Sequence, residues 1–150
     1  MIQRIQSLWL LLAALCAFLS LKFSFYTGNI LLNDQVVLRN LTGIGLTGDT
    51  ADVQTEINFI SLLLIAAAGI IALLSIFLYG NRKSQLRIAS VSLIIAILAI
   101  VYLFIKTKDF TTGTLSLTSV FAFLAPVFAF LAVRGISKDE KLVRSMDRLR

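Results

Sequence analysis

The chain has 150 residues, of which 58% are hydrophobic and 15% charged, and its mean hydropathy is +0.91. Soluble domains average about 45–50% apolar and about 25% charged residues, so this composition excludes a disordered chain, a disulfide-rich secreted scaffold and an ordinary soluble enzyme. Histidine is absent and Cys16 is the single cysteine. That removes the commonest metal ligand, the usual general base near neutral pH, and any intramolecular disulfide or CxxC pair. Met1 and Met146 lie outside the long apolar blocks, so no cofactor is expected. The 14 Lys+Arg against 8 Asp+Glu give a net charge of +6. Such a balance can signal nucleic acid, but the positions of the charges fit a membrane and no nucleic-acid partner is expected.

A bilayer core of roughly 30 Å is crossed by about 20 mostly apolar residues in a helix, and four segments qualify. The first covers residues 5–26. Arg4 before an apolar run resembles a signal peptide, but no A-x-A pattern closes it, and Leu15 before Cys16 suits a lipoprotein site poorly. An uncleaved span is expected. Residues 27–56 then form a long outer loop. In it Ile30-Leu31-Leu32 and Val36-Val37-Leu38 flank Asn33-Asp34-Gln35, which predicts a small β-hairpin over the helices. Asp49, Asp52 and Glu56 form an acidic run without EF-hand spacing or an accompanying nucleophile–base pair, and read as a solvated connector. Asn40-Leu41-Thr42 matches a glycosylation sequon.

The second and third spans cover residues 57–79 and 88–105, and the fourth 115–133. Pro126 in the fourth leaves the Ala122 carbonyl without its helical partner, which predicts a kink. Backbone groups cannot stay unpaired in lipid, so each span is a helix. The expected fold class is an all-α integral membrane protein: one domain, an antiparallel four-helix transmembrane bundle with the small hairpin and a C-terminal cytoplasmic amphipathic helix. Small residues four apart occur in every span (Ala13/Ala17, Ala68/Ala72, Ser92/Ala96, Ala125/Ala129), suiting packing within the bundle or a homo-oligomer face. The central parts of the spans contain no ionisable residue. Proton-coupled transport therefore lacks its usual carrier, and the buried hydroxyls are expected to bond carbonyls of the preceding turn.

Orientation follows from the Lys/Arg bias of the flanking segments. Arg4, the loop with Arg82, Lys83 and Arg87, and the tail 134–150 place ten basic residues on one side. The other side has Lys22, Arg39, Lys106 and Lys108, together with five of the eight acids. Both termini are expected in the cytoplasm. Trp9 and Tyr79 would lie at the inner interface, Tyr26 and Tyr102 at the outer one.

The tail carries the most specific local pattern. Ser137-Lys138-Asp139-Glu140 reads as a capping box, so a helix is expected to start at Ser137, either continuous with the fourth span or hinged near Gly135. Leu142, Met146 and Leu149 make one apolar stripe, flanked by Lys138, Lys141, Arg144 and Arg148. These seven residues are the candidate contact site. They suit an anionic lipid surface and equally a membrane or cytoplasmic protein with an acidic groove.

The start Met1-Ile2-Gln3-Arg4-Ile5-Gln6 and the end Lys138-Asp-Glu-Lys-Leu-Val-Arg-Ser-Met-Asp-Arg-Leu-Arg150, with four spans between them, resemble an uncharacterised family of small bacterial four-span membrane proteins. The resemblance covers essentially the whole chain. It implies residence in the bacterial inner membrane and no activity or site residue. The expected function is a non-enzymatic accessory, assembly or regulatory partner; the alternative is a small transporter or channel subunit acting as an oligomer.

Overall fold

The apolar blocks form four helices: α1 (Ile2–Lys22), α2 (Phe59–Phe77), α3 (Arg82–Lys106) and α4 (Val120–Asp147). The structure, a computed structural model, describes residues 2–32, 35–48, 56–78 and 81–147. All four helices are long and apolar enough to cross a membrane. They pack in a ring, α1 on α2, α2 on α3, α3 on α4, and α4 back on α1.

Each helix buries a stripe of alternating three- and four-residue spacing, and the stripes are built mostly from Ala and Ser. On α1 it is Gln6, Leu10, Ala13, Ala17 and Ser20; on α2, Ser61, Ile65, Ala68, Ala72 and Ser75. On α3 it is Gln85, Ala89, Ser92, Ala96, Ala99 and Leu103; on α4, Ala122, Ala125, Ala129, Ala132 and Ile136. The large side chains face the other way: Leu8, Leu15, Leu63, Ile70, Ile94 and Phe130 are all exposed. In water this pattern would leave large apolar patches uncovered. In lipid the surroundings are as apolar as leucine, so the inside is reserved for small residues that let backbones approach. All four small-residue pairs picked out by spacing lie on these buried stripes. Ser20, Ser75 and Ser90 bond carbonyls three or four residues earlier, while Ser92 donates across helices to the Ala68 carbonyl at 2.9 Å.

The all-α expectation is overturned by a sheet. Strands β1 (Ser24–Leu32), β2 (Gln35–Thr42), β3 (Gly45–Gly48), β4 (Glu56–Ile57) and β5 (Thr112–Leu115) form one antiparallel five-stranded sheet in the order β4-β3-β2-β1-β5. The expected small hairpin over the helices is thus only its β1–β2 part, registered Ile30↔Val37 and Leu31↔Val36. The turn residues Asn33 and Asp34, with Asp49, Asp52 and Tyr79, lie outside the described residues. Two causes explain the difference. Phe23–Tyr26 continues the apolar run of α1 in composition, yet α1 stops at Lys22 and the chain turns into β1. The last strand comes from the third connection, where Thr112 pairs with Asn29, 83 positions away. No local pattern announces such a pairing.

The sheet is tied to the helix ends. Carbonyls at the end of α1, which have no helical partner, accept from the β2–β3 turn: Gly43 N–H bonds Ser20 O at 3.2 Å and Ile44 N–H bonds Leu21 O at 3.3 Å. A Cβ on Gly43 would stand 2.8 Å from Ser20 O and from Leu21 Cα, so only glycine allows this approach. Phe25 contacts Phe104 edge-on at 5.3 Å and Phe123 at 5.8 Å, joining β1 to α3 and α4. The Ser116 N–H and the Thr118 hydroxyl continue the β1 contacts through Phe25 O and Ser24 O.

Helix α4 takes the continuous one of the two forms expected for the tail. It starts at Val120, after Leu115 has been used in β5, and passes Pro126, Gly135 and Ser137 without a break to Asp147. Ser137 therefore caps nothing.

Candidate functional site

Alternation along β2 decides where the charges of the cap go. Leu41 is buried in the core with Phe25, Leu103 and Phe110, and Arg39, two residues earlier, shares its face. An arginine is thus directed at the helix side of the sheet, where it is 4% exposed. Its cross-strand neighbours are Gly28 on β1 and Gly48 on β3, which leave room for the long side chain. Arg39 Nη1 lies 3.1 Å from Glu56 Oε1 on β4. Neither Arg39 Nε nor Nη1 has a hydrogen bond of good geometry, an arrangement that is costly for a buried cation.

Beside this pair a cavity of about 230 Å³ separates the sheet from the helix ends. Leu41, Leu46 and Glu56 form its sheet wall, Ile57 and Asn58 the entry to α2, and Lys106 and Asp109 the exit from α3. Tyr102 donates to Asn58 Oδ1 at 2.9 Å, which fixes the amide. Lys106 Nζ lies 3.3 Å from Asp109 Oδ2. The lining of the cleft therefore carries one cation, Lys106, and two carboxylates, Glu56 and Asp109, each carboxylate already in an ion pair, with an apolar wall. Among the described residues that line it there is no serine or cysteine. Sequence reasoning counted Arg39, Lys106 and Asp109 only as topology signals, and read Glu56 also as part of a solvated acidic connector. Arg39 could have been found from its parity with Leu41 once β2 was assigned.

A second polar group sits at the far end of the ring. Gln6 on α1 donates to Asp139 Oδ2 on α4 at 2.5 Å, and Ile136 beside it is buried with Leu10, Ala89 and Ala132. The root of the tail is thus part of the helix packing. Beyond it Lys138, Lys141 and Leu142 are exposed on the continuing helix. Arg144 and Met146 lie on helical backbone, but their side chains fall outside the described residues, as do Arg148 and Leu149 altogether. Within the ring the central cavity is about 20 Å³, lined by residues such as Ala17, Ala68, Ala96 and Ala125. That is room for about one water.

No curated protein and no solved structure matches the chain. A family model described as a domain of unknown function (DUF4293) matches residues 2–149. With four apolar helices along nearly that whole length, the chain belongs to the DUF4293 family.

Proposed function

We propose that the protein is a multi-pass protein of the bacterial inner membrane, with both termini in the cytoplasm. It works as a non-enzymatic accessory, assembly or regulatory partner through the two ends of its helix ring. The observation carrying this reading is the segregation of chemistry. The helix interior is packed with Ala and Ser around a 20 Å³ cavity, while the charged and amide groups collect at the sheet cleft and at the Gln6–Asp139 end. A closed alanine seam suits a scaffold better than a conduit. The continuity of α4 favours a protein partner for the tail: a helix prolonging a spanning helix leaves the bilayer along its axis, whereas a lipid-surface helix lies in the membrane plane.

Native co-purification tests this. Full-length protein is compared with a Lys138→Glu/Lys141→Glu/Leu142→Asp variant, which spares the buried Ile136 and the Gln6–Asp139 bond. A partner recovered with the first and lost with the second is the expected result. Identical sets from both would reject recognition by the tail. Ion or solute flux through liposomes holding the purified protein, above that of empty vesicles, would replace this reading with the transporter one.

A further inference from the structure

We infer that the face of the sheet turned away from the helices is the contact surface of a symmetric dimer, its occupant a second copy of this chain. The inference rests on reading the four helices as membrane spans. Strand parity and ladder register sort the side chains of the sheet between its two faces. Arg39 and Glu56, the only charges among the described strand residues, lie with Leu41 and Leu46 on the helix side. The outer face has the opposite parity and carries no charge. It presents Leu31, Val36, Leu38 and Ile57, which are 56%, 65%, 45% and 66% exposed. A sheet with one solvated face turns its apolar side inward and its polar side out; here the charges point in and large aliphatics point out. Depletion of charge is the mark of an interface centre. The polar neighbours are already bonded within the sheet, Asn29 Nδ2 to Thr112 Oγ1 and Thr47 Oγ1 to Asn40 O, both at 3.3 Å, so these bonds survive when the face is covered.

Topology and symmetry select the occupant. Every strand has one end at the helix ends: β1 leaves α1, β4 enters α2, β5 leads by a short turn into α4, and the β2–β3 turn bonds the end of α1. The strands therefore rise from the membrane surface. Their inner face meets the end of α3, where Leu41 clusters with Leu103 and Phe110. Helix α3 lies across the ring from α1, so the outer face looks away on the α1 side. Two copies in one bilayer share their orientation, and a two-fold axis relating them runs along the membrane normal. For rising strands that axis sets outer face against outer face, the aligned packing of two sheets. Pairing through the β5 edge is excluded, because an antiparallel ladder has its two-fold perpendicular to the sheet and would invert one copy. A charge-free face also meets its own copy without like-charge repulsion. Strands of nine, eight, four, two and four residues, at about 3.4 Å by 4.8 Å per residue, give about 440 Å² of flat area per copy. With side-chain relief the two copies cover about 1,000 Å², the size at which specific interfaces begin.

The test uses full-length protein in a Cys16→Ser background, reconstituted into vesicles at high lipid dilution. Leu31→Cys, Val36→Cys and Leu38→Cys are expected to give covalent dimers with a short bismaleimide. Gln35→Cys, exposed on β2 with the opposite parity, is expected to remain monomeric. Leu38→Lys sets like charges against each other in the contact and is expected to weaken dimerisation about ten-fold or more, read by photobleaching steps of labelled protein. Gln35→Lys, the same charge on the inner face, is expected to leave it unchanged. Equal cross-linking at both parities, or a dimer indifferent to Leu38→Lys, assigns the contact to another surface and overturns the proposal. So does a Val36→Cys thiol that reacts with an impermeant maleimide in native membranes as fast as Gln35→Cys, since the face is then open. A thiol shielded in native membranes but monomeric on reconstitution assigns the face to a different protein and overturns the second copy. Amide exchange in β1 checks the fold of Leu38→Lys, and the cysteine variants add no charge. Carbonate extraction reads membrane insertion separately, so a fully inserted monomer counts against the dimer alone.

Discussion

Gly28 is the position at which one methyl group has the largest consequence for the cap. It lies in β1 between Arg39 of β2 and Gly113 of β5. A Cβ there would stand 2.3 Å from Thr112 O, 2.8 Å from Gly113 Cα and 3.0 Å from Phe110 Cδ1. Non-bonded carbons settle at about 3.5–4.0 Å, and the two nearest atoms are backbone, so β5 must retreat by roughly 1 Å. Overpacking of this kind costs about 1–3 kcal/mol. Because the retreat also strains the β1–β5 ladder, Gly28→Ala is expected at the upper end, about 3 kcal/mol by the same measure. For a chain of this length that lowers the melting temperature by roughly 10 °C.

Gly135→Ala is the control. On α4 its nearest contact is Gln6 Cγ at 3.1 Å, a flexible side chain, and the gain in helix stability of up to about 1 kcal/mol offsets the squeeze. Both variants are followed in detergent by thermal exposure of the buried Cys16 thiol, with amide exchange in β5 as the local readout. A Gly28→Ala protein melting within about 1 °C of the parent, with β5 amides equally protected, would refute the packing argument. So would equal losses in the two variants.

Three other outcomes follow from the packing. Ala72→Leu places a large side chain in the buried seam and is expected to cost about 1–3 kcal/mol, whereas Ser92→Ala, losing the bond to Ala68 O, costs about 0.6 kcal/mol; melting in detergent ranks them. Gln6→Ala leaves the Asp139 carboxylate without its donor and is expected to destabilise by about 1.5–3 kcal/mol; a melting temperature equal to the parent's would show that the tail root is held by apolar contacts alone. In a Cys16→Ser background, Gln35→Cys is expected to react with an impermeant thiol reagent added outside and Lys141→Cys only after the inner face is opened; the reverse pattern inverts the orientation.

The helices were legible because a charge-free apolar run near twenty residues matches the thickness of a bilayer and little else, and Ala13, Ala17, Ala68 and Ala72 signalled their buried stripe through spacing alone. The sheet was legible only where its signal was local. Ile30–Leu32 and Val36–Leu38 face each other across a short turn, but the segment from Thr112 to Leu115 has two threonines, a glycine and one leucine, and becomes a strand because β1 is there to receive it. Helix boundaries failed where composition did not change with structure, as from Leu21 to Tyr26. The cleft was hidden for the same reason as β5: Leu41, Leu46, Glu56, Lys106 and Asp109 come from separate segments, and only the folded sheet brings them together. The capping pattern at Ser137 misled because a capping motif starts a helix only where none is already running.

The alanine seam has a consequence for how readily the helices associate. Burying a leucine or methionine freezes rotatable bonds, at a cost of about 0.5–2 kcal/mol each, whereas alanine has no rotamers to lose. By turning Ala13, Ala17, Ala68, Ala72, Ala125, Ala129 and Ala132 inward, the ring closes with almost no side-chain entropy surrendered at its contacts. The leucines, isoleucines and phenylalanines outside keep their rotational freedom among equally fluid acyl chains. Lipid provides little hydrophobic drive between helices, so this low ordering cost allows modest dispersion contacts and a bond such as Ser92 to Ala68 to hold the assembly together.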